Sequence, residues 1–172
     1  RIAPFLMASI KIATLSCRGL MSPAKRRRLN LYVKQHRVDI LLLQETHVTD
    51  NSLMTEIANE WGMRGYWSLG SYQSKGVAIL FKLSLNVTHN CHFRDSDGRL
   101  VVVNMKMGDE NFRLINIYAP NKARERYNFF KAVEDRLHAP GIRVLVAGDF
   151  ICVGAASLDR ITPPGNRTVF YD

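Results

Sequence analysis

Apolar positions change their period several times along the chain, and each change marks an element. Residues 10–15 (Ile-Lys-Ile-Ala-Thr-Leu) are rich in β-branched side chains and stop at Cys17-Arg18-Gly19, which predicts a strand. Ser22 then serves as an N-cap and Pro23 as the first helical residue, where its missing N–H is no loss. Leu29, Tyr32 and Val33 carry that helix on at helical spacing to Gln35. Residues 38–43 (Val-Asp-Ile-Leu-Leu-Leu) run almost without polar interruption, as a strand covered on both faces does, and end at Gln44-Glu45-Thr46-His47. A short helix is expected over 53–61, followed by a turn-rich stretch with Gly62, Gly65 and Gly70 and the aromatic group Trp61, Tyr66, Trp67 and Tyr72. Strands then follow one another over 77–81, 85–93, 100–107 and 112–118. Asp97-Gly98 and Gly108-Asp109 serve as hairpin turns, and the whole stretch reads as one antiparallel meander. Ala123, Tyr127, Phe130, Val133 and Leu137 make one stripe of a further helix, capped by Asn121 and ended by Pro140-Gly141. A buried strand over 144–147 stops at Gly148-Asp149-Phe150, and no period follows it. Helices crossing between buried strands, together with the long strand run, predict an α/β sandwich with mixed sheets.

Composition gives this outline a sign. At 172 residues and 47% hydrophobic, the chain is long enough for one domain with a real core. Lys and Arg number 24 against 15 acidic residues, a net charge of +9 that points to a polyanionic partner, though a merely basic surface fits the charge equally well. Lys25, Arg26, Arg27 and Arg28 fall in the first turns of a helix, where the macrodipole disfavours cations, so they are surface charges or anion contacts. Cys17, Cys91 and Cys152 lie far apart without a CxxC, which supports neither a disulfide framework nor a cysteine zinc site and fits a reducing compartment. No apolar run approaches the roughly 18 residues of a membrane span, so the expectation is an intracellular protein with no membrane partner. Residues 1–6 are set apart as an upstream or disordered segment, because Met7-Ala8-Ser9 precede the first strand.

Two apolar strands end in a carboxylate, Glu45 and Asp149. A charge at the end of a buried strand is costly unless it is paired or holds a cation, and strand ends of α/β sheets are common ligand sites. With the basic composition this points to a hard cation, Mg²⁺, held by oxygen ligands beside a phosphate.

At these residues the chain resembles a known family. Ile12 to Leu20, Ser22-Pro23-Ala24-Lys25-Arg26, and Asp39-Ile40 through Gln44-Glu45-Thr46-His47 look like the opening of the endonuclease domain of LINE-type (non-LTR) retrotransposons. Lys75 to Leu80, Asn116-Ile117-Tyr118-Ala119-Pro120-Asn121, Gly148-Asp149-Phe150 and Leu158-Asp159-Arg160 follow in the family's order. The resemblance places the chain in the endonuclease/exonuclease/phosphatase superfamily, beside apurinic-site endonucleases and exonuclease III. It implies a four-layer sandwich of two mixed β-sheets flanked by helices. Residues 7–160 would form that domain, C-terminally truncated and missing its last strands, and residues 161–172 an irregular tail.

The resemblance further implies Mg²⁺-dependent (or Mn²⁺-dependent) hydrolysis of a DNA phosphodiester, with a 3′ hydroxyl left behind. Glu45 corresponds to the metal-binding glutamate, Asp149 to the aspartate that orients or deprotonates water, and Tyr118 to the tyrosine near the scissile phosphate. Asn121, Arg18, Lys25 and Arg26 are the expected DNA contacts. Three departures from the pattern bear on activity. Ser16 and Ile151 stand where the family has Asn, and the family's catalytic Asp-His pair has no counterpart up to residue 172. A serine still exchanges hydrogen bonds, whereas an aliphatic side chain neither orients water nor binds an oxyanion. His47, two past Glu45, would share its face if the strand ran on. The expectation is a monomeric DNA endonuclease, impaired in this chain, acting in the nucleus, with a reverse transcriptase domain in the parent polyprotein. The alternative is a catalytically inactive DNA-binding remnant.

Overall fold

The computed structural model describes residues 9–151. The upstream segment, Cys152, Leu158-Asp159-Arg160 and the tail of the sequence reading lie outside the described residues. Eleven elements follow in order: β1 (Ile12–Ser16), α1 (Pro23–Gln35), β2 (Ile40–Gln44), α2 (Asn51–Trp61), β3 (Met63–Ser68), β4 (Val77–Lys82), β5 (Thr88–Arg94), β6 (Leu100–Met107), β7 (Glu110–Tyr118), α3 (Ala123–Glu134) and β8 (Arg143–Asp149). They form two four-stranded sheets, ordered β1-β2-β4-β3 and β5-β6-β7-β8. Each sheet is mixed: β1–β2 and β7–β8 pair parallel, the remaining neighbours antiparallel.

The period of two along the central strands sorts their side chains into three apolar layers. Leu41 and Leu43 of β2 face outward and pack under α1 and α2 with Val33, Ile57 and Trp61. Ile40 and Leu42 face inward and meet Val101, Val103 and Leu114 of the second sheet. On the far side Leu100, Val102, Ile115 and Ile117 pack against Phe129, Phe130 and Val133 of α3. Helices, sheet, sheet and helix thus give the four layers expected.

Local chemistry sets the helix ends. The Ser22 side chain accepts from the Lys25 amide, with Pro23 in the first turn of α1, as the sequence indicates. Asp50 caps α2 by accepting from the Leu53 amide, and Gly62 ends that helix in the left-handed region. Asn121 does not cap α3: that position falls to Lys122, which makes no side-chain cap hydrogen bond.

Two further expectations change. The strands over 77–118 are not one meander, because β4 pairs with β2 and β3 in the first sheet while β5, β6 and β7 build the second. The turn-rich stretch after Trp61 holds strand β3, in which Gly65 lies so close to the backbone of Ile79 that a Cβ there would stand 2.7 Å from its carbonyl oxygen.

Candidate active site

The parallel strands β1, β2, β7 and β8 all deliver their carboxyl ends to one mouth of the sandwich. Thr14 and Gln44 share the face that looks toward the second sheet, since Gln44 Nε2 donates to Thr14 Oγ1 at 3.0 Å and to Asn116 Oδ1 at 2.6 Å. Ser16 continues that face of β1, and Tyr118 that face of β7; Tyr118 pairs in register with Asp149.

β2 stops at Gln44. Glu45 takes a left-handed φ of 52°, and this break in the strand brings its carboxylate to Ser16, whose hydroxyl donates to Oε1 at 3.1 Å. His47, also left-handed at φ 55°, brings its ring back toward the same carboxylate even though the strand does not run on. Its Nε2 is buried without a hydrogen-bond partner and stands 3.9 Å from Glu45 Oε2. The ring packs on Gly19, where a Cβ would stand 3.0 Å from Nδ1.

A belt of backbone hydrogen bonds ties the rim of this mouth together. Gly19 N–H donates to Glu45 O, Thr46 N–H to Gly76 O, Gly76 N–H to Gly98 O, Tyr118 N–H to Arg99 O and Ala119 N–H to Asp149 O. The ends of all four parallel strands are thereby linked through the loop before β4 and the β5–β6 turn. Gly76 can hold its place only without a side chain, because a Cβ there would collide with Thr46 Oγ1.

Tyr118 is half-buried at the end of β7. Burial, and then the negative charges of Glu45 and Asp149, push its phenol above the ordinary tyrosine range, with Arg99 acting in the opposite direction. At neutral pH the phenol is protonated, a hydrogen-bond donor beside two carboxylates. Asp149 Oδ1 accepts from the Ile151 amide at 3.1 Å, so the backbone of Ile151 orients the carboxylate even though its side chain cannot. Ile151 itself has φ 49°, a conformation in which Asn is far more at home than a β-branched residue. Cys17, between Ser16 and Arg18, is inert: burial pushes its thiol up to about 12.

Ser16, Glu45, Tyr118, Asp149 and Ile151 thus converge. The expected DNA contacts divide. Arg18 and Asn121 are exposed on the loops after β1 and β7. Lys25 turns its Nζ to the Arg18 carbonyl at 2.7 Å. Arg26 is the correction: only 2% exposed, it donates to Glu56 and to Glu60 of α2 and to the carbonyls of Leu20 and Met21. Its guanidinium fastens α1 to α2 and has no free face for a phosphate.

Sequence reasoning assigned no role to the polar pair beneath the mouth. Asn116, fully buried, accepts from Gln44 and donates through Nδ2 to the carbonyls of Leu43 and Ala78, each at 2.8 Å. A lone Asn inside the apolar run Leu114-Ile115-Asn116-Ile117 was the available signal, because a buried amide must be paired.

The donor set suits an ion that keeps most of its waters. Glu45 offers one hard oxygen donor, a carboxylate steadied by the Ser16 hydroxyl. One carboxylate plus a substrate phosphate is the usual environment of Mg²⁺. Among the described residues no helix is long and apolar enough to cross a membrane.

The chain is similar in sequence and in fold to known proteins. The sequence model of the endonuclease/exonuclease/phosphatase family matches residues 14–150. The DNA repair nuclease APEX1 of Danio rerio is 30% identical over 93% of this chain, and the uncharacterized 149 kDa protein of transposon TX1 from Xenopus laevis is 26% identical over 83%. The chain spans 54% of the length of the first and 11% of the second. The endonuclease domain of TRAS1, a telomere-specific non-LTR retrotransposon, has the same fold: its structure superposes with a TM-score of 0.61 at 16% identity, covering 85% of this chain and 61% of that one.

Proposed function

Since the chain belongs to the endonuclease/exonuclease/phosphatase family, we propose that it is a metal-dependent DNA endonuclease of the retrotransposon type, slowed by the residue at position 151. The observation that carries the reading is the convergence of Ser16, Glu45, Tyr118 and Asp149 at one mouth between the sheets. Glu45, steadied by Ser16, would hold Mg²⁺ or Mn²⁺, which when bound would supply charge neutralisation at the phosphate and the leaving oxygen. The protonated Tyr118 donates to a non-bridging phosphate oxygen. Asp149, held by the Ile151 amide, accepts a proton from the attacking water as its oxygen bonds to phosphorus; the P–O3′ bond breaks, leaving a 5′ phosphate, and the 3′ oxygen takes a proton from solvent to become a hydroxyl. Arg18, Lys25 and Asn121 meet the DNA backbone at the rim. The same proposal includes action as a monomer in the nucleus and a parent polyprotein with a reverse transcriptase; the transposon relative, of which the chain spans 11%, supports a longer parent protein.

A second reading, an inactive DNA-binding remnant, is favoured by one observation, the aliphatic side chain of Ile151 beside Asp149. Nicking of supercoiled plasmid with Mg²⁺, with EDTA as control, separates the two. The endonuclease reading expects slow nicking that EDTA abolishes and that Ile151→Asn accelerates by about 10²- to 10³-fold, the usual worth of one such polar group. If neither protein nicks while both bind DNA with a steep salt dependence, the remnant reading stands.

A further inference from the structure

Arg99, the last residue of the β5–β6 turn, has no part in the chemistry above, yet it grips Tyr118 from three sides. Its Nη1 donates to the carbonyl oxygens of Tyr118 and Ala119, each at 3.1 Å. Its guanidinium carbon lies over the phenol ring, 5.2 Å from the centroid. Its own carbonyl accepts the Tyr118 amide at 2.8 Å. The arginine is itself fixed from behind. Asp95 accepts the Arg99 amide through both carboxylate oxygens, at 3.1 and 3.3 Å, and the Leu100 amide at 3.1 Å. The Ser68 hydroxyl donates to the same carboxylate at 2.6 Å.

We infer that Arg99 is a positioning residue for Tyr118: it holds the end of β7 so that the phenol faces the mouth, and it keeps a permanent positive charge against the ring. The reason lies in the local chain. β7 ends at Tyr118, so the carbonyls of Tyr118 and Ala119 need other donors, and Ala119 is fully buried. One planar guanidinium nitrogen serves both carbonyls while its face meets the ring, an arrangement that a lysine ammonium, a flexible point charge, cannot reproduce. Loss of the grip lets the phenol swing, and a displacement of about 1 Å at a reacting centre costs on the order of 10²-fold in rate.

The catalytic consequence rests on the endonuclease reading; the placement of Tyr118 does not, and the test has one arm for each. In the first, protein carrying 3-fluorotyrosine is followed by ¹⁹F NMR, with the Tyr118 resonance assigned by its disappearance in Tyr118→Phe. Arg99→Met is expected to move that resonance and leave the other tyrosines in place, and Arg99→Lys to move it less. A Tyr118 resonance unmoved in both variants overturns the inference, whether or not the protein nicks DNA.

In the second arm, nicking kinetics are measured for the same variants and for Arg99→Met combined with Tyr118→Phe. Arg99→Met is expected to lower kcat by about 10- to 100-fold with little change in KM, Arg99→Lys to recover part of the loss, and the double variant to be no slower than Tyr118→Phe. If Arg99→Met slows Tyr118→Phe as much as it slows the parent protein, Arg99 does not act through the tyrosine and the inference fails. A parent protein that does not nick, but whose Tyr118 resonance shifts as expected, leaves the positioning role in place and removes the endonuclease reading alone.

Discussion

β2 and β8 occupy equivalent places: each is the second parallel strand of a strand–helix–strand unit, and each delivers a carboxylate to the same mouth. Yet every residue of β2 is buried and none of β8 is. β2 lies between β1 and β4, with α1 and α2 on one face and the second sheet on the other. Among the described residues β8 is the edge strand of its sheet and pairs with β7 alone. Their helices differ in the same sense. α1 is clamped to α2 by the buried Arg26, whereas α3 buries only Val133 and its exposed Lys122–Glu125 pair contributes little. Glu45 is therefore placed by a core, and Asp149 by local devices: the Ile151 amide, the Ala119 amide on its carbonyl, and Gly148, whose missing Cβ lets the backbone of Ile117 come close.

A matched pair of truncations measures how differently the two strands are held. Leu43→Ala, in the fully buried β2, is expected to lower unfolding free energy by about 3 to 5 kcal/mol. Leu145→Ala, 38% exposed in β8, should lower it by less than about 1 kcal/mol, both read by urea denaturation. Equal losses would show that the two strands are held alike.

Next comes the link between the halves. Asn116→Ala removes one acceptor of Gln44 Nε2 and the side-chain donor to the carbonyls of Leu43 and Ala78, and about 1 to 3 kcal/mol should be lost. Combined with Gln44→Met it should cost measurably less than the sum of the single changes. Strict additivity would mean that the two amides do not act as a unit.

Arg26→Met tests the helix clamp and should cost about 1 to 3 kcal/mol, since the guanidinium is buried while both glutamates keep water. Hydrogen bonding to Arg26 holds the Glu60 carboxyl below the ordinary value of 4.5. The clamp's contribution is then complete above that value and disappears as pH falls through the lower folded one, so the variant should lose less stability on acidification than the parent. Parallel acid limbs in the two proteins would count against the assignment.

The smallest effect is expected on the loosely held side. Ile151→Asn relieves a β-branched residue at positive φ and should raise stability by about 1 kcal/mol, apart from its effect on nicking. Unchanged or lower stability would mean that the strain is offset by contacts of the isoleucine.

What was legible in the chain follows the same division. Apolar runs such as Leu41-Leu42-Leu43 announce a covered strand, and the carboxylates at the ends of two such strands announced the mouth. β3 escaped because Gly65 and the surrounding aromatics resemble a turn, whereas the glycine is there for close approach to β4. The split of the strand run between two sheets escaped because pairing partners are chosen at a distance: β4 has the same alternation whichever sheet takes it. Arg26 looked like a member of a basic cluster for a similar reason. Its glutamates lie 30 and 34 residues away, and only the packing of α1 on α2 brings them together.

Gln44 and Asn116 are 72 residues apart, and their hydrogen bond forms only when one sheet lies on the other. Each strand–helix–strand unit closes over a shorter loop, so loop-closure entropy favours forming the units before the sheets dock. A chain caught before docking would already have its helices and both parallel pairs, with Glu45 on one half and Asp149 on the other. The mouth is then a product of docking, and a site of this construction comes into being only when the two sheets meet.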